Sequence, residues 1–107
     1  MSVSPTHDTV LVRLRQALDT EYGGKIERVV LFGSRARGDA RPTSDYDVAV
    51  FLKDPDDLWE ELGRPSHITT AILDDTGAVI SAKPFRAGAH AERSPLMHEI
   101  RHDGRDL

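Results

Sequence analysis

Apolar positions change their period along the chain, and the changes mark its elements. Over His7 to Tyr22, Val10, Leu11, Leu14, Ala17 and Leu18 fall on one face, which predicts a helix. Ser4 or Thr6 is placed to cap it, with Pro5 in an early position, and Gly23-Gly24 stops it. Ile26 to Phe32 holds the unbroken run Val29-Val30-Leu31 and reads as a strand buried on both faces. A polar stretch, Gly33 to Ser44, is punctuated by Gly38 and Pro42. Asp45 to Leu52 is a second strand, acidic at its start and apolar from Val48 onward. From Asp54-Pro55 to about Asp75 the pattern is helical, divided at Gly63-Arg64-Pro65, with Ser66 as cap of the second piece. After a turn at Gly77, Val79 to Phe85 forms a third strand. A last helix runs from Ser94 to Asp103, with Ser94 as cap, Pro95 at the first helical position and Gly104 past its end. The order α-β-loop-β-α-β-α predicts an α/β (α+β) fold, a small mixed β-sheet flanked by helices.

Composition narrows the class. The 107 residues fit one domain, 1–107, and 38% hydrophobic with 30% charged residues is a globular balance. No apolar run approaches the roughly 20 residues of a membrane span. With no apolar signal core in MSVSPTHDTV and no cysteine, a cytoplasmic location is expected. The net charge of −4 lacks the footprint of a DNA-binding protein, so no direct DNA contact is expected. A nucleotide escorted by a metal cation stays compatible with it, because the metal carries positive charge.

Chemistry concentrates in LFGSRARGDARPTSDYDVAVFL, Leu31 to Leu52. Asp45 and Asp47 are two apart at a strand start and so share one side. Two like charges held together call for a neutralising cation, and Mg²⁺ takes one or two carboxylates plus substrate phosphates. Gly33 lets backbone approach a phosphate closely. If Ser34 opens a helical turn, its free N–H groups and hydroxyl face an anion. Arg35 and Arg37 are cations, one of which can grip a phosphate through its planar fork. If the two strands pair antiparallel, both motifs meet at one edge of the sheet.

Gly33-Ser34, ten intervening residues, then Asp45-x-Asp47 resembles the signature of the nucleotidyltransferase superfamily that includes DNA polymerase beta. The run GSRARGDARPTSDYDVAV is similar to the minimal nucleotidyltransferases of bacteria and archaea, and SPLMHEIRHDGRDL to their usual tail. The resemblance implies a nucleotidyltransferase fold and transfer of AMP from ATP to a hydroxyl acceptor, with Mg²⁺ as cofactor. Gly33, Ser34 and Arg37 would bind the nucleotide; Asp45 and Asp47 would hold the metal and serve catalysis. Many minimal members pair with a HEPN-type toxin, which implies such a toxin as partner and acceptor and an antitoxin role for this chain.

One departure from the family pattern bears on that activity. A third carboxylate belongs on a later strand, yet VISAKPF has none, and Ser81 and Lys83 stand in its place. The alternative is therefore a degenerate binding module that neutralises its toxin by complex formation. Transfer to a small molecule such as an aminoglycoside is disfavoured, because no second domain shapes an acceptor pocket. His98-Glu99-Ile100-Arg101-His102 also reads formally as H-E-x-x-H. So close to the end it is better read as an amphipathic helix with Leu96, Met97 and Ile100 inward and both histidines in water. Asp74 and Asp75 are read as capping the helix end or decorating the turn, His7, His67 and His90 as solvated or capping, and Trp59, Leu58 and Leu62 as core.

Overall fold

A computed structural model describes residues 8–41, 43–53 and 66–107. The expected caps Ser4 and Thr6, the histidine His7 and the helical segment carrying Leu58, Trp59 and Leu62 lie outside those residues. Helix α1 runs Thr9–Tyr22, β1 Ile26–Phe32, the single turn α2 Ser34–Arg37 and β2 Tyr46–Leu52. Helix α3 is Ser66–Thr76, β3 Ile80–Arg86, α4 Pro95–Asp103 and β4 Arg105–Asp106. The sheet order is β3-β2-β1-β4. β1 is antiparallel to both β2 and β4, and β2 is parallel to β3, so the sheet is mixed as expected.

Alternation along β1 and β2 divides the interior into two layers. Val29, Leu31, Val48, Val50 and Leu52 pack with Leu11, Leu14, Leu18 and Tyr22 of α1 and Ile68 and Ile72 of α3. Val30, Phe32, Ala49 and Phe51 pack on the other face with Met97 and Ile100 of α4 and with Ala89. Both central strands are covered on both sides, which is why they read as continuous apolar runs. Leu14, Leu18 and Phe51 are wholly buried, each worth about 1.5–3 kcal/mol relative to exposure.

Several boundaries differ from the sequence expectation, each for a local reason. The cap of α1 is Asp8, whose carboxylate accepts from the Val10 and Leu11 N–H groups at 2.9 and 3.3 Å. Strand β2 begins at Tyr46 rather than Asp45, because the ladder with β3 starts at Tyr46–Ile80. β3 is shifted by one residue, and its Pro84 sits on an edge strand, where a missing donor is tolerated. The polar stretch after β1 contains the turn α2, closed by Gly38 at φ 85°. His90, expected to be solvated or capping, packs edge-on to Phe51, and Arg28 lies 2.9 Å from its ring. Burial first, then Arg28 and Arg101, hold it below the usual histidine range. In α4, Met97 and Ile100 are buried while His98 and His102 are exposed.

Strand β4 has no hydrophobic signature and is held by its backbone. It pairs with Val30 and Leu31, and the Leu107 N–H donates to the Val29 carbonyl at 2.9 Å. Gly104 makes the approach possible: a Cβ there would strike the Ile100 carbonyl and the Val30 side chain. Gly104→Ala is expected to lower stability in urea unfolding by about 1–3 kcal/mol. Gly24→Ala, where a Cβ meets nothing within 4 Å, should change it by less than about 0.5 kcal/mol.

Candidate functional site

The antiparallel register places Phe32, the last residue of β1, opposite Asp47 near the start of β2. The chain then turns at Gly33, with φ 76° and ψ −158°, and enters α2 at Ser34. A Cβ on Gly33 would lie 2.5 Å from the Asp47 Oδ2, so only glycine brings backbone this close to that carboxylate. The Gly33 carbonyl accepts from the Ala36 and Arg37 N–H groups at 3.1 Å each, which closes the turn. As in any first helical turn, the leading N–H groups have no acceptor within the helix. Gly33, Ser34 and Asp47 thus come together at one edge of the sheet.

Asp45 precedes β2 by one residue and is exposed; Asp47 is half-buried. Among the described residues, neither carboxylate forms an ion pair with an arginine, lysine or histidine. Two neighbouring carboxylates without a cation, one of them half-buried beside a cradle that a Cβ would fill, suit a hard divalent ion. No group of three or more histidine or acidic side chains that could hold a metal converges among the described residues; Asp45 and Asp47 are the two carboxylates at this end of β2. Directly across from Asp47 on β3 stands Ser81, and Lys83 stands across from Ala49. The parallel register therefore puts a hydroxyl where a third carboxylate would complete the cluster.

The two arginines of α2 have different surroundings. Arg37 is 40% exposed and bonds Asp39 and, on α4, Glu99, both at 3.3 Å. Its hydrogen bond to Asp39, foremost, and the charges of Asp39, Asp103 and Glu99 raise its pKa, so it is always charged. Exposed pairs of this kind are weak, so an incoming anion can displace them. Arg35 is folded inward. Its guanidinium carbon lies 4.0 Å from the centroid of the Tyr46 ring, and its Nε donates to the Ser44 carbonyl at 2.9 Å. In the sequence Arg37 is set apart from Arg35 by the family resemblance alone, and Tyr46 carries one visible signal, an aromatic ring between two aspartates.

The H-E-x-x-H histidines stack at 6.0 Å on the exposed face of α4, without a third histidine or acid converging on them among the described residues. An open hollow of about 390 Å³ at the start of that helix is lined by Arg93, Ser94, Pro95, His98 and Arg101. It shares no residue with the sheet-edge site. Asp75, read from sequence as capping the helix end or decorating the turn, ties α3 to Arg13 of α1 at 2.8 Å. No helix among the described residues is long and apolar enough to cross a membrane.

Comparison with known proteins agrees with this layout. An inferred protein adenylyltransferase of Methanocaldococcus jannaschii is 36% identical over 52 residues, 49% of this chain and 52% of that protein. The chain thus spans about half the length of that curated relative. Among solved structures, an inferred nucleotidyltransferase from Sulfolobus solfataricus superposes with a TM-score of 0.64 at 19% identity, over 91% of this chain and 75% of that one. A chain in the complex of tri-AMPylated Shewanella oneidensis HEPN toxin with MNT antitoxin gives 0.53 at 14% identity, over 92% and 71%. At those identities the likeness is one of fold. The sequence profile of the nucleotidyltransferase domain matches residues 11–84, a stretch that holds β1, α2, β2 and most of β3. The chain belongs to the nucleotidyltransferase domain family.

Proposed function

We propose that this protein is a Mg²⁺-dependent nucleotidyltransferase that moves AMP from ATP to a hydroxyl of a partner protein, a HEPN-type toxin, and so acts as an antitoxin. The observation that carries the reading is the approach of Gly33 to the Asp47 carboxylate, which has no ion pair among the described residues, across the β1–β2 register. Family membership supports the reaction class. The names of the M. jannaschii relative and of the S. oneidensis complex support a protein acceptor and a toxin partner.

Asp45 and Asp47 would hold Mg²⁺, which supplies charge neutralisation for the phosphates and the departing pyrophosphate when bound. Gly33 admits the triphosphate close to the backbone, and Ser34 offers its hydroxyl and N–H to a phosphate oxygen. Arg37 exchanges Asp39 and Glu99 for phosphate oxygens. In the transfer, the acceptor oxygen bonds the α-phosphorus, the α–β bridging bond breaks, and pyrophosphate leaves. Ser81 cannot serve as the base that a third carboxylate provides, so the acceptor's proton passes to solvent or to a group on the partner.

That serine favours a second reading by a specific observation: with a hydroxyl opposite Asp47, the site binds nucleotide and the toxin without turnover. Intact-protein mass spectrometry with ATP, Mg²⁺ and the genomically neighbouring toxin separates the two. An AMP-sized gain on the toxin, absent with Asp45→Asn/Asp47→Asn, is the expected result. A complex that forms without any gain establishes the binding module. Ser81→Asp should tighten Mg²⁺·ATP binding about tenfold or more by adding an oxygen ligand, as read by titration calorimetry. Gly33→Ala should abolish that binding, because the new methyl group takes the space beside Asp47; it also costs about 1–3 kcal/mol of stability through its positive φ.

A further inference from the structure

Two residues beside the site take no part in the nucleotide contacts described above, yet they join three elements around it. Tyr46 sits between Asp45 and Asp47, but alternation along β2 turns it to the opposite face. It is 7% exposed and packs with Val48 in the layer beneath α1 and α3, whereas Asp47 shares the face of Ala49 and Phe51. Its hydroxyl donates to the Asp8 Oδ2 at 3.0 Å, while the other oxygen of Asp8 caps α1.

Arg35 closes the arrangement from α2. Its guanidinium covers the Tyr46 ring, and its Nε holds the Ser44 carbonyl. Ser44 is itself part of a tight turn, its N–H bonded to the Arg41 carbonyl and its Oγ accepting from the Arg41 N–H, both at 2.9 Å. The residue after this clamped carbonyl is Asp45. We propose that Arg35 and Tyr46 are positioning residues that fix the Ser44 carbonyl, and with it the Asp45 carboxylate next in the chain, relative to Asp47, and that Arg35 does not grip the nucleotide's phosphates. The guanidinium is engaged on a ring that packs in the layer opposite the face Asp47 shares with Ala49 and Phe51. A cation–π contact on a buried ring holds the guanidinium over it and so keeps the Nε in reach of the Ser44 carbonyl. The inference rests on the two aspartates forming the metal half-site.

Sign distinguishes a brace from a phosphate ligand. Mn²⁺ alone, followed by electron paramagnetic resonance, probes the carboxylates with no phosphate present. Removing a nearby positive charge should by itself tighten cation binding. If Arg35 is a brace, Arg35→Leu instead weakens Mn²⁺ binding about tenfold, and Tyr46→Leu does the same. The double variant should be no worse than either single change, as members of one unit behave. Tyr46→Phe, which keeps the ring, should restore binding to within about twofold of the parent. Arg35→Met, which keeps the stem on the ring, replaces Arg35→Leu if the latter fails to fold. Unchanged or tighter Mn²⁺ binding in the arginine variant overturns the proposal. Should the parent protein itself hold no Mn²⁺, the half-site reading fails separately, and hydrogen exchange without any ligand decides the brace. Exchange at the Ser44 N–H should quicken about tenfold in the arginine variant while Val48 to Phe51 stay protected. Unaltered exchange at Ser44 overturns the brace.

Discussion

The antiparallel pairing of β1 with β2 is the constraint from which the site follows. Each strand buries alternate side chains on opposite faces, so a slip of one residue would carry Val29 and Leu31 into the α4 layer and Val30 and Phe32 into the α1 layer. The two cores thus lock the register, and the register sets Phe32 against Asp47. Gly33 comes next to that pair by chain continuity alone. The close approach of glycine to carboxylate is therefore not maintained by any bond between them. It is maintained by hydrophobic burial on both faces of the sheet, several residues away.

The polar parts around the site are smaller energies arranged on that frame. Turn α2 has just four residues and no independent stability. It is tied by Arg35 to Ser44 and Tyr46, by Arg37 to Glu99 of α4, and by Arg105 of β4, whose Nε donates to the Ala36 carbonyl at 3.0 Å. The next strand and two elements distant in sequence therefore converge on this turn. Two of these ties use bonds to backbone carbonyls and persist whatever occupies the site. The Arg37 contacts are exposed and exchangeable, which suits the ligand-binding role proposed for that side chain.

Much of this was legible in the residues themselves. The apolar runs at Val29 to Leu31 and Val48 to Leu52 marked the central strands, and the period of Leu11, Leu14 and Leu18 marked α1. Ser94-Pro95 announced α4, where the Ser94 Oγ accepts from the Met97 N–H. What the residues did not disclose has physical reasons. Arg105 and Asp106 form a strand through backbone pairing, and neither burial nor alternation signals that. Asp8 had to be chosen over Ser4 and Thr6 as cap, and its second bond, to Tyr46, comes from 38 positions away. Arg35 and Arg37 look alike in sequence; their separation depends on which face of β2 the Tyr46 ring occupies. The space beside Gly33 depends likewise on the register, and no motif spacing encodes a distance to Asp47.

The sheet's connections differ in length, and this divides the site by the order in which its chain segments can close. The link from β1 to β2, residues 33–45, is about half as long as residues 53–79, which lead from β2 to the parallel strand β3. Closing a loop of half the length is easier by about 0.6 kcal/mol, a small entropic bias toward the shorter closure. That closure brings Gly33 and Asp47 together, with Ser34 and Asp45 in the same connection. Ser81 arrives over the longer one, on a strand at the outer margin of the sheet. An opening that released β3 alone would strip the serine from the cluster and leave the glycine–aspartate pairing standing on β1 and β2. Ser81 thus stands on a strand that joins the sheet through the longer connection, whereas Asp47, which it faces, stands on one of the two central strands.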